Sequence, residues 1–178
     1  MSTINIKGIK DISFGDYKKI SMFICFPTCN LKCDRECGKS VCQNSELLKI
    51  ESTSIEIDSI IKRYKKNRYD QALVIGGLEP FDTMKSCADL LSLIVEFRKV
   101  YTEDDIVIYT GYTEEELEKD NNTITIEKFR VFVYQFIKNN YPNIYMKFGR
   151  YIPNQNSHYD PVLGVDLASD NQYGKKIS

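Results

Sequence analysis

The chain lacks any apolar run long enough to cross a bilayer: no stretch of its 178 residues approaches the roughly 20 apolar residues that a spanning helix needs. It also lacks an excess of either charge. Its 24 Lys and Arg stand against 25 Asp and Glu, a formal net charge of −1, so neither nucleic acid nor an anionic membrane is an expected partner. The opening residues MSTINIKGIKDISFGDYKK hold no continuous apolar segment ahead of a small-residue cleavage site, and a cytoplasmic location is expected. Histidine is nearly missing: His158 alone, in a polar tail, is expected to serve as a surface or loop hydrogen-bonding residue rather than a catalytic base. No internal repeat, low-complexity tract or linker divides the chain, so residues 1–178 are expected to form a single domain with its own core.

Cysteine, by contrast, is concentrated. Five of the six cysteines, Cys25, Cys29, Cys33, Cys37 and Cys42, fall in one polar loop directly after an apolar run. Cysteines used as small core hydrophobes would be scattered over separate buried faces, whereas thiolates at close spacing converge on a metal centre. In a reducing compartment stable disulfides are uncommon, and the cluster of thiols reads as metal or redox chemistry. The loop is therefore the expected seat of an iron–sulfur cluster. Three cysteines hold three irons of a cubane and leave the fourth open, while four close it into an electron carrier. With five candidates the count leaves both open, and a Cys-rich tetrahedral zinc site is the competing metal reading.

The rest of the chain alternates. Lys19 to Ile24 reads as a buried strand ending before Pro27. Ser54 is placed to cap a helix in which Ile57, Ile60, Ile61 and Tyr64 recur at helical spacing before the basic run Lys62 to Arg68, itself expected to be a solvated face. Ala72 to Ile75 forms a second strand, stopped by Gly76-Gly77 and followed by Leu78-Glu79-Pro80. After Asp82 or Thr83 as cap, Met84, Cys87, Leu90, Leu91, Ile94 and Phe97 share one helical face, which makes Cys87 a core residue. Asp105 to Tyr109 gives a third strand, Thr110-Gly111-Tyr112 a turn, and Thr113 to Glu116 a solvated acidic helix start. Phe129, Phe132, Val133, Phe136 and Ile137 follow the spacing of an amphipathic helix, and Ile144 to Phe148 before Gly149 is a fourth strand. The tail from Tyr151 to Ser178 is expected to wrap the mouth as irregular structure.

Strand, loop and helix repeated in this order imply an α/β fold with parallel strands, because parallel neighbours need crossover connections and helices supply them. Four visible units are too few for a closed eight-stranded barrel, so an open partial (βα) barrel is expected. In parallel α/β folds ligands gather at the C-terminal strand ends. Every unusual segment lies there: the cysteine loop, GGLEP, TGY and KFGRY.

The strand with its cysteine loop ending in Cys42-Gln43-Asn44, the Gly76-Gly77-Leu78-Glu79-Pro80 loop and the Thr110-Gly111-Tyr112 turn resemble the radical S-adenosylmethionine (SAM) superfamily. Within it the chain is most similar to the activating proteins of anaerobic ribonucleotide reductases, from about Ser21 to a closing Ser169-Asp170-Asn171-Gln172. The resemblance implies a 4Fe-4S cluster and SAM as cofactors, and a deoxyadenosyl radical that abstracts a hydrogen atom. It also implies the large subunit of anaerobic ribonucleotide reductase as protein substrate and a flavodoxin-type electron donor. No catalytic side chain is assigned. The family spaces its cysteines C-x3-C-x2-C, a pattern no triplet here repeats. Cys29-Asn-Leu-Lys-Cys33 supplies the first pair, and Cys42-Gln-Asn resembles the residues around the third ligand, with Val41 where an aromatic residue often stands. The implied ligands are Cys29, Cys33 and Cys42 across an expanded loop from Asp34 to Val41, with Cys37 the alternative third ligand and Cys25 a strand-end core residue or spare thiol. Gly76 and Gly77 imply close backbone approach to the methionyl end of SAM. Glu79, offset by the extra Leu78, implies a contact to its ammonium, and Thr110 a hydrogen bond to the cosubstrate; Lys147 is a lesser candidate.

Two other readings compete: a short radical SAM enzyme with a small-molecule substrate, as in deazapurine formation, and a non-catalytic iron–sulfur or zinc protein. In anaerobically reconstituted protein, Cys29→Ala, Cys33→Ala and Cys42→Ala are each expected to abolish the broad visible absorption of the cluster, and Cys25→Ala and Cys37→Ala to retain it. Loss in Cys37→Ala with retention in Cys42→Ala would reverse the assignment of the third ligand.

Overall fold

A computed structural model describes residues 2–119 and 125–178. The chain opens with two short strands, β1 (Thr3–Ile6) and β2 (Gly8–Ser13), and then enters β3 (Ser21–Phe26). The cysteine loop carries a short helix, α1 (Lys32–Cys37), and a 3-10 helix over Ser45–Lys49. Next come β4 (Thr53–Glu56), α2 (Ile57–Lys66), β5 (Ala72–Gly77) and α3 (Met84–Arg98). The remainder comprises β6 (Asp105–Tyr109), α4 (Glu114–Glu118), α5 (Thr125–Asn140), β7 (Ile144–Phe148), β8 (His158–Asp160), β9 (Val165–Leu167) and β10 (Tyr173–Lys176).

Among the described residues the main sheet runs in the order β10-β7-β6-β5-β3-β2. Its centre is parallel, β3 with β5, β5 with β6 and β6 with β7, and its two edges, β2 and β10, are antiparallel. The fold is thus mixed α/β with a mostly parallel central sheet. The four parallel strands are the four that the apolar runs indicate, with the first displaced by two residues toward Phe26.

Alternation along these strands divides the core. Met22, Ile24, Leu73, Ile75, Ile106, Ile108, Ile144 and Met146 face the helices and pack with Ile60 and Tyr64 of α2, Leu90, Leu93, Ile94 and Phe97 of α3, and Val133 and Ile137 of α5. Ala72, Val74 and Val107 face the other way, toward Tyr17, Leu163 and Leu167. The helices therefore lie on one face of the sheet, while the tail and the segment before β3 cover the other. Tyr64, Phe97 and Tyr101 form an aromatic group with ring centroids 4.7–5.0 Å apart beside this core.

Several local expectations need correction. Ser54 does not cap α2; it pairs with Asn5 in the β1–β4 ladder, and Glu56 occupies the N-cap position without a side-chain hydrogen bond. Tertiary pairing with β1, whose own sequence is too short to announce a strand, overrides the local cap signal. In α5 the buried side is Arg130, Val133, Tyr134 and Ile137, whereas Phe132 is 53% exposed and stacks between Phe129 and Phe136. The apolar spacing defines two adjacent stripes, and the sheet takes only one. The tail is not irregular either: β8 and β9 form a hairpin and β10 completes the sheet edge along β7. Strands of three and four residues carry too little alternation to be seen in sequence.

Among the described residues no helix is long and apolar enough to cross a membrane. Thr83 does cap α3, its hydroxyl accepting from the Ser86 N–H. Thr83→Ala is expected to lower the unfolding free energy by about 1 kcal/mol. Leu93→Ala, which empties a fully buried site, is expected to lower it by about 2–5 kcal/mol, both measured by urea denaturation of the purified protein.

Candidate functional site

The loops that follow β3, β5, β6 and β7 meet over the C-terminal edge of the parallel strands and enclose a cavity of about 260 Å³. Its wall includes Cys29, Cys33 and Cys42 from the first loop, Gly77 to Glu79 from the second, Thr110 and Gly111 from the third, and Lys147 and Arg150 around the fourth. The tail closes it with Tyr151, Asp166 to Ala168 and Gln172. The structure thus brings together the implied ligands Cys29, Cys33 and Cys42 with Gly77, Glu79 and Thr110. Gly76, Cys25 and Cys37 do not line the cavity.

The cysteine loop owes its shape to a few polar contacts. Leu31 adopts a left-handed conformation (φ 51°), with its N–H pointing at Cys29 Sγ (3.4 Å), and α1 begins directly after it. At the far end Gly38 (φ 66°) terminates α1. Asp34 Oδ1 then accepts from the N–H groups of both Val41 (2.9 Å) and Cys42 (2.8 Å), which closes the expanded segment on itself. All six cysteines are free thiols. Burial pushes the Cys29 thiol up to about 12, with the Leu31 N–H opposing, and burial followed by neighbouring Cys42 raises Cys33. A bound metal supplies the positive charge that deprotonates such groups.

The glycine loop follows a different logic from the one its sequence suggests. A Cβ on Gly76 would stand 2.9 Å from Tyr109 Cβ. Gly77 has φ +79°, and a Cβ there would collide with Cys25 Sγ. Packing between β3, β5 and β6 is therefore sufficient to require both glycines. Cys25 is a buried strand-end residue seated under Gly77.

Glu79 is buried, and its carboxylate holds two loops together. Oε1 accepts from the Phe81 N–H (3.0 Å) and the Thr110 hydroxyl (2.8 Å), and Oε2 accepts from the Gly111 N–H (2.7 Å). Its own N–H donates to Thr28 O (2.9 Å) at the root of the cysteine loop. Burial raises its pKa, opposed by these hydrogen bonds and the charge of Lys147. Lys147 faces the cavity, donates to Gly149 O (2.7 Å), and is lowered to about 8 by burial against the pull of Glu79 and Cys33.

An ion-pair network roofs this end of the site. Arg150 donates through both terminal nitrogens to Glu116 (2.9 Å each), Lys32 of α1 reaches Glu116 Oε1 (2.9 Å), and Glu36 stands near both cations. Tyr112 packs between the guanidinium groups of Arg130 and Arg150, at 4.2 and 5.2 Å from its ring centroid. Glu116 is therefore not simply part of a solvated acidic helix start. Lysine and arginine partners distant in sequence recruit it, and spacing along the chain cannot reveal them. The role of Asp34 is equally invisible to spacing along the chain, whereas Arg150 and Gln172 fall within the KFGRY segment and the family-like Asn-Gln ending. His158 lies half-buried in β8 with Nδ1 unpartnered, away from the cavity wall.

Burial alone would raise Glu116, but hydrogen bonds from Arg150, the Thr113 N–H and Lys32 outweigh it and bring its pKa to about 2. Because the folded value lies below the ordinary 4.5, this contribution to stability is present above pH 4.5 and is lost as pH falls toward 2. Glu116→Gln is expected to destabilise the protein at neutral pH and to flatten the stability loss in that acid window, as followed by denaturant titrations at stepped pH.

Three thiols on one cavity wall match the soft-ligand chemistry of an iron–sulfur cluster. Among the described residues no three His, Cys, Asp or Glu side chains stand close enough for a single metal ion; a cubane, with one thiolate on each of separate irons, needs a wider set. No curated protein and no solved structure matches the chain. The family model described as a 4Fe-4S single cluster domain matches residues 15–156, from the segment before β3 to the loop after β7. That span contains every loop with a cysteine or glycine motif at the mouth, and it supports a 4Fe-4S cluster as the cofactor and a radical SAM-like iron–sulfur function. The chain belongs to the 4Fe-4S single cluster domain family.

Proposed function

We propose that the chain is a cytoplasmic radical SAM activase that generates a glycyl radical on the large subunit of an anaerobic ribonucleotide reductase, with a flavodoxin-type protein as electron donor. The observation that carries this reading is the convergence of Cys29, Cys33, Cys42, the GGLEP loop and the TGY turn on one cavity. The placement of the helices on a single face of the parallel strands supports a partial (βα) barrel within a single domain, since a doubly wound sheet would carry them on both.

On this reading Cys29, Cys33 and Cys42 would hold the cluster, and a set of three thiolates would leave it open to SAM. A bound and reduced 4Fe-4S cluster would supply the electron for reductive cleavage of the sulfonium of SAM, the chemistry that would lead to hydrogen abstraction from the substrate. The chain's own groups bind and orient. A carboxylate offers about four lone-pair directions, so Glu79 Oε2, which accepts one hydrogen bond, retains room for an N–H of the methionyl amino group. Thr110 Oγ1 donates to Glu79 and accepts from the Tyr112 N–H, which leaves it one further acceptor position. Lys147, which lines the cavity and donates to Gly149 O, suits a carboxylate. Gly77 and Leu78 line the cavity beside them. The cavity opens to solvent, which suits a substrate presented on a partner's surface.

Anaerobically reconstituted protein supplied with a reductant is expected to form deoxyadenosine from SAM, and with the reductase subunit to give a glycyl doublet in EPR. Deoxyadenosine without the doublet would direct the activity to a small molecule. A cluster indifferent to SAM would make the chain an electron carrier.

A further inference from the structure

Eight residues separate Cys33 from Cys42, yet both line the cavity. Between them the chain completes α1, reverses at Gly38 in the left-handed region, and runs through residues 38–40 in solvent. The contact that brings it back is made by Asp34, the residue next to Cys33. One carboxylate oxygen accepts from the N–H of Cys42 itself and from that of Val41 before it. On its other side Cys42 is held through its carbonyl, which accepts from the Ser45 N–H (3.4 Å) at the start of the 3-10 helix. Cys37, one helical turn beyond Cys33, is nearer in sequence but is absent from the cavity wall.

We infer that Asp34 is a positioning residue: its carboxylate staples the expanded segment shut and so delivers Cys42, rather than Cys37, as the third thiolate. The inference rests on the reading of Cys29, Cys33 and Cys42 as the cluster ligands. A long insertion between ligands would otherwise leave the third thiol free over many conformations, at an entropic cost to cluster binding. Two charge-assisted backbone hydrogen bonds remove that freedom before the cluster arrives. The requirement is for an acceptor oxygen at this place, and the amide oxygen of asparagine meets it.

The test uses the full chain, reconstituted anaerobically as wild type, Asp34→Ala, Asp34→Asn and Cys37→Ala. Each form is challenged with an iron chelator and, separately, alkylated and mapped by mass spectrometry. In wild type Cys42 is expected to be protected and Cys37 labelled. In Asp34→Ala the chelator concentration that strips half the iron is expected to fall about 10- to 100-fold, the range usual for groups that orient metal ligands, and Cys42 to become labelled. Asp34→Asn is expected to restore both, with thermal unfolding of the apo forms near that of wild type. Wild-type chelator resistance and Cys42 protection in Asp34→Ala would overturn the staple while leaving the ligand reading intact. Labelled Cys42 in cluster-loaded wild type, with iron lost in Cys37→Ala, would overturn the ligand reading itself.

Discussion

A single buried carboxylate holds the mouth of this protein together. Glu79 takes hydrogen bonds from its own loop, from the Thr110 hydroxyl and from the Gly111 N–H, while its backbone N–H reaches Thr28. Three loops that leave three different strands are thereby joined at one residue. A carboxylate away from water is costly unless its lone pairs are satisfied, so the loops are constrained to arrive where they can supply donors. The constraint runs both ways: the loops neutralise the cost of the charge, and the charge fixes the glycine turn and the Thr110-Gly111 loop, while the Glu79 N–H anchors the loop that carries Cys29.

Around that centre the site is built in layers. Cys25 and Tyr109 pack under the two glycines and fix the backbone of the second loop. Above them lie Cys29, Cys33 and Lys147, each with its charged form disfavoured by burial, a setting that favours an occupant carrying its own positive charge at the thiols. Outermost, Arg150, Glu116, Lys32 and Tyr112 tie α1 to α4 and to the end of β7. The cysteine loop, the least regular part of the chain, is thus bound to the framework at its root by Thr28 and in its middle by Lys32, and Asp34 closes it on itself.

The four parallel strands were legible because each is a short apolar run stopped by glycine, proline or a polar turn, and the placement of all the motifs at their C-terminal ends followed from parallel topology alone. The helices were legible from their period, though the period could not say which of the two apolar stripes of α5 would be buried. Elements that depend on partners were not legible: β1 and β4 exist because they pair with each other, and β10 because β7 offers it an edge.

The sequence by itself determined the α/β alternation, the concentration of thiols after the first parallel strand and the metal chemistry that such a concentration serves. Only the tertiary structure decided which thiols share a cavity, why Gly76 and Gly77 must be glycine, and what Glu79, Glu116 and Asp34 do. The physical reason is range. Apolar periodicity and ligand type are written in adjacent residues, but a carboxylate takes its role from donors that folding brings to it, and these lie 3 to 84 positions away along the chain for Glu116 and 7 to 8 for Asp34.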